Sequence, residues 1–234
     1  MSDPWFDRNW LEHNWASLLR AARDHVLWSL LAFGLGFAAA LFLVTLGRRW
    51  RSLDQPLRAL ALVASAVPAV SVVSTLLPTV TSRVGLIGAI AVSVTALVYR
   101  TTMHGLDRVD PNLVAEALAL GYGRWQRLAW VEFPLAIRAI RSGIRCASIA
   151  AVGLVAVGGP TLHGGLGNTI AAASGAGHRT ERVMAIALLI VLCIMVDAGV
   201  RLMMLRAPSG DSLRPQERSS RRQRRNHQTK PSPP

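Results

Sequence analysis

The chain has 234 residues and a mass of 25.2 kDa; 51% of its residues are hydrophobic and 17% charged, with a mean hydropathy of +0.34, a balance that excludes an ordinary soluble domain. The net charge of +13 comes from 26 basic against 13 acidic residues, but nine of the basic ones follow Val200, so the charge describes a tail more than a body and nucleic-acid binding is excluded as its explanation. Cys146 and Cys193 lie in apolar stretches without C-x-x-C spacing, and the six histidines are scattered, so no disulfide framework, metal site, catalytic group or cofactor is indicated.

Residues 1–24 are polar and carry Trp5, Trp10 and Trp15, whose amphipathic indoles favour the membrane interface. They are expected to form an extracytoplasmic, interfacial lead-in helix. The opening acids Asp3 and Asp7 do not make a basic signal n-region, so the first span is expected to be retained. Charge-free runs cover Val26 to Gly47 (22 residues), Ala59 to Ser82 (24) and Val84 to Tyr99 (16), against the roughly 20 apolar residues that a spanning helix needs.

The first span is placed at about His25 to Leu46, the second at Leu57 to Pro78 with a kink at Pro68, and the third at Val84 to Arg100. A structured loop of short helices, 101–134, follows. A fourth span runs from Leu135 to Val157, with Arg138, Arg141 and Arg145 on its early turns, and Gly158-Gly159-Pro160 breaks it. Residues 161–181 read as an external loop with a short helix near Asn168 to Ala173, and the fifth span runs from Arg182 to about Leu205. The transmembrane domain is thus 25–205, and 206–234, rich in Pro, Ser and Arg, reads as a disordered basic tail.

Basic residues set the orientation. The segment after the first span holds Arg48, Arg49, Arg51 and Arg58, seven more arginines lie between Arg100 and Arg145, and nine basic residues follow Val200. The opposite-side segments hold three, one and two. Five spans with the N-terminus outside and the C-terminus inside place every arginine-rich segment in the cytoplasm.

The 101–134 loop is then cytoplasmic. Asp110-Pro111 reads as an N-cap with proline at the first helical position, and Gly121 suits the left-handed position that ends a helix. Two short helices joined at Gly121 are expected, with Leu113, Ala117 and Leu120 on one face and Asn112 and Glu116 on another. Such an exposed amphipathic helix is suited to lie in another protein's groove.

This loop resembles the signature of importer-type ABC permeases, E-A-A-x3-G-x9-I-x-L-P, with Gly121, Val131, Phe133 and Pro134 at the G, I, L and P spacings. Further landmarks resemble the glycine betaine/choline/proline osmoprotectant branch of the binding-protein-dependent transport permeases: Asn14-Trp15, Asp24-His25, Val67-Pro68, Val109-Asp110-Pro111, Ser142-Gly143-Ile144-Arg145, Gly164-Gly165-Leu166-Gly167 and Asp197. The likeness covers about 14–201. The sequence departs from the signature at one point: the motif's glutamate position is Ala115, and Glu116 stands one place later, about 100° around the helix.

The resemblance implies an all-α integral membrane protein of about five transmembrane helices with a cytoplasmic coupling-helix loop, as in type I ABC importer permeases. It implies that Leu113, Ala115, Glu116, Ala117, Leu118, Leu120, Gly121, Tyr122 and Gly123 form the segment that docks on an ABC ATPase. The expected partners are that ATPase, an extracytoplasmic solute-binding protein, a second permease subunit in a homo- or heterodimer, and membrane lipid. The setting is the bacterial inner membrane. No G-x-x-x-x-G-K-[ST] motif occurs in the chain, so ATP hydrolysis is assigned to the partner and the chain itself is not an enzyme. Alternating access would follow as ATP binding closes the ATPases and pulls on the coupling helices. Two other readings are an amino-acid importer permease, for methionine as an example, and a non-transporting membrane scaffold.

Asp197 and Arg201, four apart near the inner end of the fifth span, are expected to form a local ion pair with the arginine snorkelling to the interface. Gly164 to Gly167 reads as a structural turn rather than a phosphate loop. The tail from Arg218 to Arg225 reads as a topology anchor. No aromatic box for a quaternary ammonium is visible, so cation capture is expected on the separate binding protein.

Overall fold

The computed structural model describes residues 7–66 and 83–206. Among these, every regular element is helical: α1 (Arg8–Arg49), α2 (Arg51–Ala66), α3 (Arg83–Asp107), α4 (Pro111–Ala119), α5 (Arg124–Arg127), a π-helical turn (Leu128–Glu132), α6 (Phe133–Val157), α7 (Gly159–Leu162), α8 (Gly165–Ala176) and α9 (Arg179–Arg206). Four stretches are long and apolar enough to cross a bilayer: α1, α3, α9 and the run from Arg124 to Val157. They carry the first, third, fifth and fourth predicted spans. The predicted second span begins in α2 but lies largely outside the described residues, as do Pro68, Trp5 and the tail.

α1 does not break between lead-in and span. It runs unbroken for 42 residues, about 63 Å, roughly twice a hydrocarbon core, so a large part of it projects beyond the membrane. The Asp7 side chain caps its start by accepting from the amides of Asn9 and Trp10, and the Asp7 amide donates to Thr180 Oγ1 at the head of α9. Both helix starts therefore lie at one end of the bundle.

The bundle is held by close backbone approach at small residues, the device available where lipid removes the hydrophobic drive between helices. Ala32, Gly36, Ala40 and Val44 recur every fourth residue and are buried against α3. A β-carbon on Gly36 would meet the Ala91 carbonyl and the Val94 side chain at 2.5–2.7 Å, and Thr95 Oγ1 donates across the same contact to the Gly36 carbonyl. α3 meets α6 in the same way, with Gly105 against Ala136 and Ala139 and Gly143 against Thr101.

α3 runs seven residues past the predicted end of its span. Thr101 Oγ1 bonds back to the Leu97 and Val98 carbonyls, and Thr102, Met103, Gly105 and Leu106 are buried, so 101–107 belongs to the bundle instead of the loop. At the opposite end, α8 packs against α1, α6 and α9. A side chain at Gly167 would overlap Ala156, and Leu166 is fully buried, so the glycine-rich run is a backbone contact.

Candidate functional site

The segment between α3 and α6 is built as its residue types dictate. The Asp110 side chain accepts from the Asn112 amide and Pro111 occupies the first turn, which starts α4. Gly121, at φ +83°, ends it: the Tyr122 amide donates to the Ala117 carbonyl and the Gly121 amide to the Leu118 carbonyl, the paired bonds of a Schellman cap. The Gly123 amide is then capped by Gln126 Oε1 at 2.9 Å, which starts α5.

The expected second short helix is not separate. α5 passes through the π-turn directly into α6, with the Phe133 amide bonding five residues back to the Leu128 carbonyl. Pro134 explains this. Its ring has no N–H and crowds the carbonyl four residues earlier, which a widened turn accommodates.

Of the nine residues singled out in this segment, Leu113, Ala115, Glu116, Leu118, Leu120, Gly121, Tyr122 and Gly123 are exposed, and Ala117 is buried. The apolar stripe is therefore divided: Ala117 faces inward beside half-buried Val114, while Leu113 and Leu120 face solvent. Leu118 is 52% and Leu120 77% exposed, with Tyr122 and Trp125 bared beside them. Ala115 and Glu116 are both on the open surface, so the displaced glutamate costs the fold nothing.

Behind α4 lies a cavity of about 530 Å³ whose charged lining comes from five elements: Arg48, Asp54 and Arg58, Asp107, Arg124 and Arg127, and Glu132. Arg58 is shared between Asp54 on its own helix (2.9 Å) and Asp107 at the end of α3 (2.5 and 3.1 Å). Asp107 is the last residue of α3, and the Arg58 fork on its carboxylate ties that helix end to α2. Arg127 Nε donates to Glu132 Oε1 at 2.7 Å, and Arg124 reaches the Arg49 carbonyl at the end of α1. The segment between α3 and α6 is thus tied to α1, α2 and the end of α3.

These lining residues are not identified by sequence reading. Arg48 and Arg58 register there only as topology charges, and Glu132 occupies an unspecified position of the loop signature. The available signals are the i, i+4 spacing of Asp54 and Arg58, and two acids, Asp107 and Glu132, in segments otherwise rich in arginine.

A second ionic site lies between α6 and α9. Arg201 Nε donates to Asp197 Oδ2 at 2.9 Å, the expected local pair, but Asp197 also receives both prongs of Arg145 from α6. The pair is a tie between helices as well as a local contact.

A long-helix membrane bundle with an exposed, glycine-capped helix clamped to the ends of its spans defines a polytopic membrane protein of the transport-permease type. Residues 25–206 match the model of the binding-protein-dependent transport system inner membrane component, and the chain belongs to that family. It is 35% identical over 101 residues to the carnitine transport permease protein OpuCD of Listeria monocytogenes, covering 43% of this chain and 45% of the relative, so the match spans less than half of that relative's length. It is 30% identical over 150 residues to the osmoprotectant import permease protein OsmW of Salmonella typhimurium, covering 62% of this chain and 70% of OsmW. Among solved structures, an amino acid ABC transporter superposes with a TM-score of 0.74 at 16% identity, over 88% of this chain and 100% of the other, which establishes the shared fold.

Proposed function

We propose that this chain is the membrane-spanning permease subunit of an ATP-driven importer for compatible solutes of the glycine betaine, choline and carnitine kind. It sits in a bacterial inner membrane with its N-terminus outside and its C-terminus in the cytoplasm. It pairs with a second permease subunit and takes solute from an extracytoplasmic binding protein. ATP is hydrolysed on a separate ABC ATPase that seats on α4 and the turn after it.

One observation carries this reading: α4 bares Leu113, Leu118, Leu120 and Tyr122 to solvent while its base is fixed by Ala117, the Schellman cap and the charged cavity. A helix that exposes apolar side chains on a rigid mount is suited to transmit force from a partner's groove. The solute class is supported by the relatives, whose names specify carnitine and osmoprotectants.

The test is uptake of radiolabelled glycine betaine into proteoliposomes containing the chain with its copurifying ATPase and binding protein, with choline, carnitine and methionine as competitors. ATP-dependent uptake suppressed by choline or carnitine supports the reading. Suppression by methionine alone would replace the solute class, and an absence of any copurifying ATPase would favour a scaffold.

A further inference from the structure

Arg48 stands at the junction of the charged network without a close bond to any member of it. Its guanidinium lies 3.4 Å from Asp107 Oδ1 on one side and 4.0 Å from Glu132 Oε2 on the other. A charge-assisted bond between such groups closes to about 2.7–2.9 Å. Its Nε is buried with no partner among the described residues. Each carboxylate already has a closer arginine: Arg58 on Asp107 and Arg127 on Glu132. The two carboxylates also belong to different bodies. Asp107 ends α3, whereas Glu132 closes the π-turn by which the docking segment enters α6, and Arg48 itself lies in the last turn of α1.

From this geometry we infer that Arg48 is a two-position relay, a positioning residue that bonds to Glu132 in one state of the docking segment and to Asp107 in the other. The gap on the Glu132 side is about an ångström wider than a charge-assisted bond, and the guanidinium that closes it is drawn away from Asp107. A guanidinium suits this role, because its fixed fork of donors can release one carboxylate while engaging the next. The switch would transfer movement of α4 and α5 to the inner ends of α1 and α3, which are packed tightly along the Gly36 contact. Small-residue packing of that kind moves as a unit, so a local ion-pair exchange becomes a helix displacement. The inference rests on the reading that α4 docks on an ATPase.

The experiment uses the full chain copurified with its ATPase in liposomes and measures basal ATP hydrolysis. Glu132→Gln leaves Arg48 with Asp107, and Asp107→Asn leaves it with Glu132. A relay predicts that the two near-isosteric variants shift hydrolysis in opposite directions, each by at least about threefold, the scale at which single residues alter coupling. In an Arg48→Gln background the Glu132→Gln change should have a clearly smaller effect than in the wild-type chain, the remainder being the lost Arg127 contact. Changes of the same sign, additive effects in the double variant, or no change would overturn the relay. If Asp107→Asn does not fold, the Arg48→Gln/Glu132→Gln comparison decides alone. A wild-type chain that captures no ATPase would overturn the docking reading and the relay with it, whereas failure of the relay alone leaves wild-type hydrolysis intact.

Discussion

Arg145 in α6 and Asp197 in α9 meet through a two-pronged ion pair between the two helices, and Arg201 completes the coordination of the carboxylate. An ion pair between two packed helices holds each charge in place only while its partner is present, since each supplies the other's compensating charge. Asp197→Asn should therefore lower the thermal midpoint of the detergent-solubilised chain, and Arg145→Gln should do so by a similar amount. The double substitution should be less damaging than the sum of the two, because each single change strands the other partner. Additive losses would show that the two side chains act independently.

Gly121 carries a penalty of a different origin. A β-carbon there would meet nothing within 4 Å, so any cost of substitution is conformational rather than steric. At φ +83° a residue such as asparagine is tolerated, alanine is disfavoured and valine is worst, by about 1–3 kcal/mol. The expected order of ATPase retention in pull-down is Gly121, then Asn, Ala and Val. A Gly121→Val chain with full substrate-stimulated hydrolysis would sink the capped-helix account of docking.

On the exposed face of α4, Glu116→Ala should weaken ATPase capture less than Gly121→Val does. Glu116 is on the open surface one position from the signature's register, and its removal leaves the helix and its cap unchanged. Ala115→Glu should strengthen capture where the ATPase groove offers a basic residue at the usual place. Titration of ATPase binding on both variants, in membranes with equal expression, checks the pair.

Two glycines two residues apart, on nearly opposite faces of α1, give an internal control for helix packing. Gly36 touches α3, whereas a β-carbon on Gly34 would meet nothing within 4 Å. Gly36→Val should destabilise the bundle by about 1–3 kcal/mol through overpacking, and Gly34→Ala should be silent or slightly stabilising. Equal effects in a thermal-shift assay would argue that α1 and α3 do not meet as described.

Orientation is accessible through residues at the two ends of the bundle. In a chain with Cys146 and Cys193 replaced, Asn9→Cys should react with an impermeant thiol reagent on intact cells and Ala119→Cys should not. Both positions are exposed in the folded chain. Labelling of Ala119→Cys from outside would place α4 on the wrong face for a cytoplasmic ATPase.

What the sequence conveys about this molecule follows from the range of the forces involved. Asp110-Pro111 and Gly121 declare the ends of α4 because capping is decided within a few residues of chain. The spans declare themselves because twenty apolar residues have few other solutions. The extension of α3 through Asp107 is not legible, since Thr101 and Thr102 look polar in isolation, yet Thr102 is buried and Thr101 packs half-buried against Gly143 of α6. The charged cavity is hidden for the same reason. Arg48, Asp107 and Glu132 are far apart in sequence, and nothing local indicates that three chain segments end together. Arg145 meeting Asp197 across 52 residues is likewise a product of packing, whereas Asp197 with Arg201 is visible as a spacing.

The π-turn at Leu128–Glu132 acts as a phase adjuster. An α-helix that takes in one surplus residue keeps its axis but rotates everything beyond the insertion by about 100° relative to what came before. The two halves of the run from Arg124 to Val157 can therefore be aimed independently, one turning Arg124 and Arg127 toward the charged cavity and the other turning Gly143 and Ala147 into the bundle. Because the bulge is anchored by Pro134, which cannot rejoin a regular ladder, the offset between the cavity-facing and bundle-facing halves is written into the covalent chain.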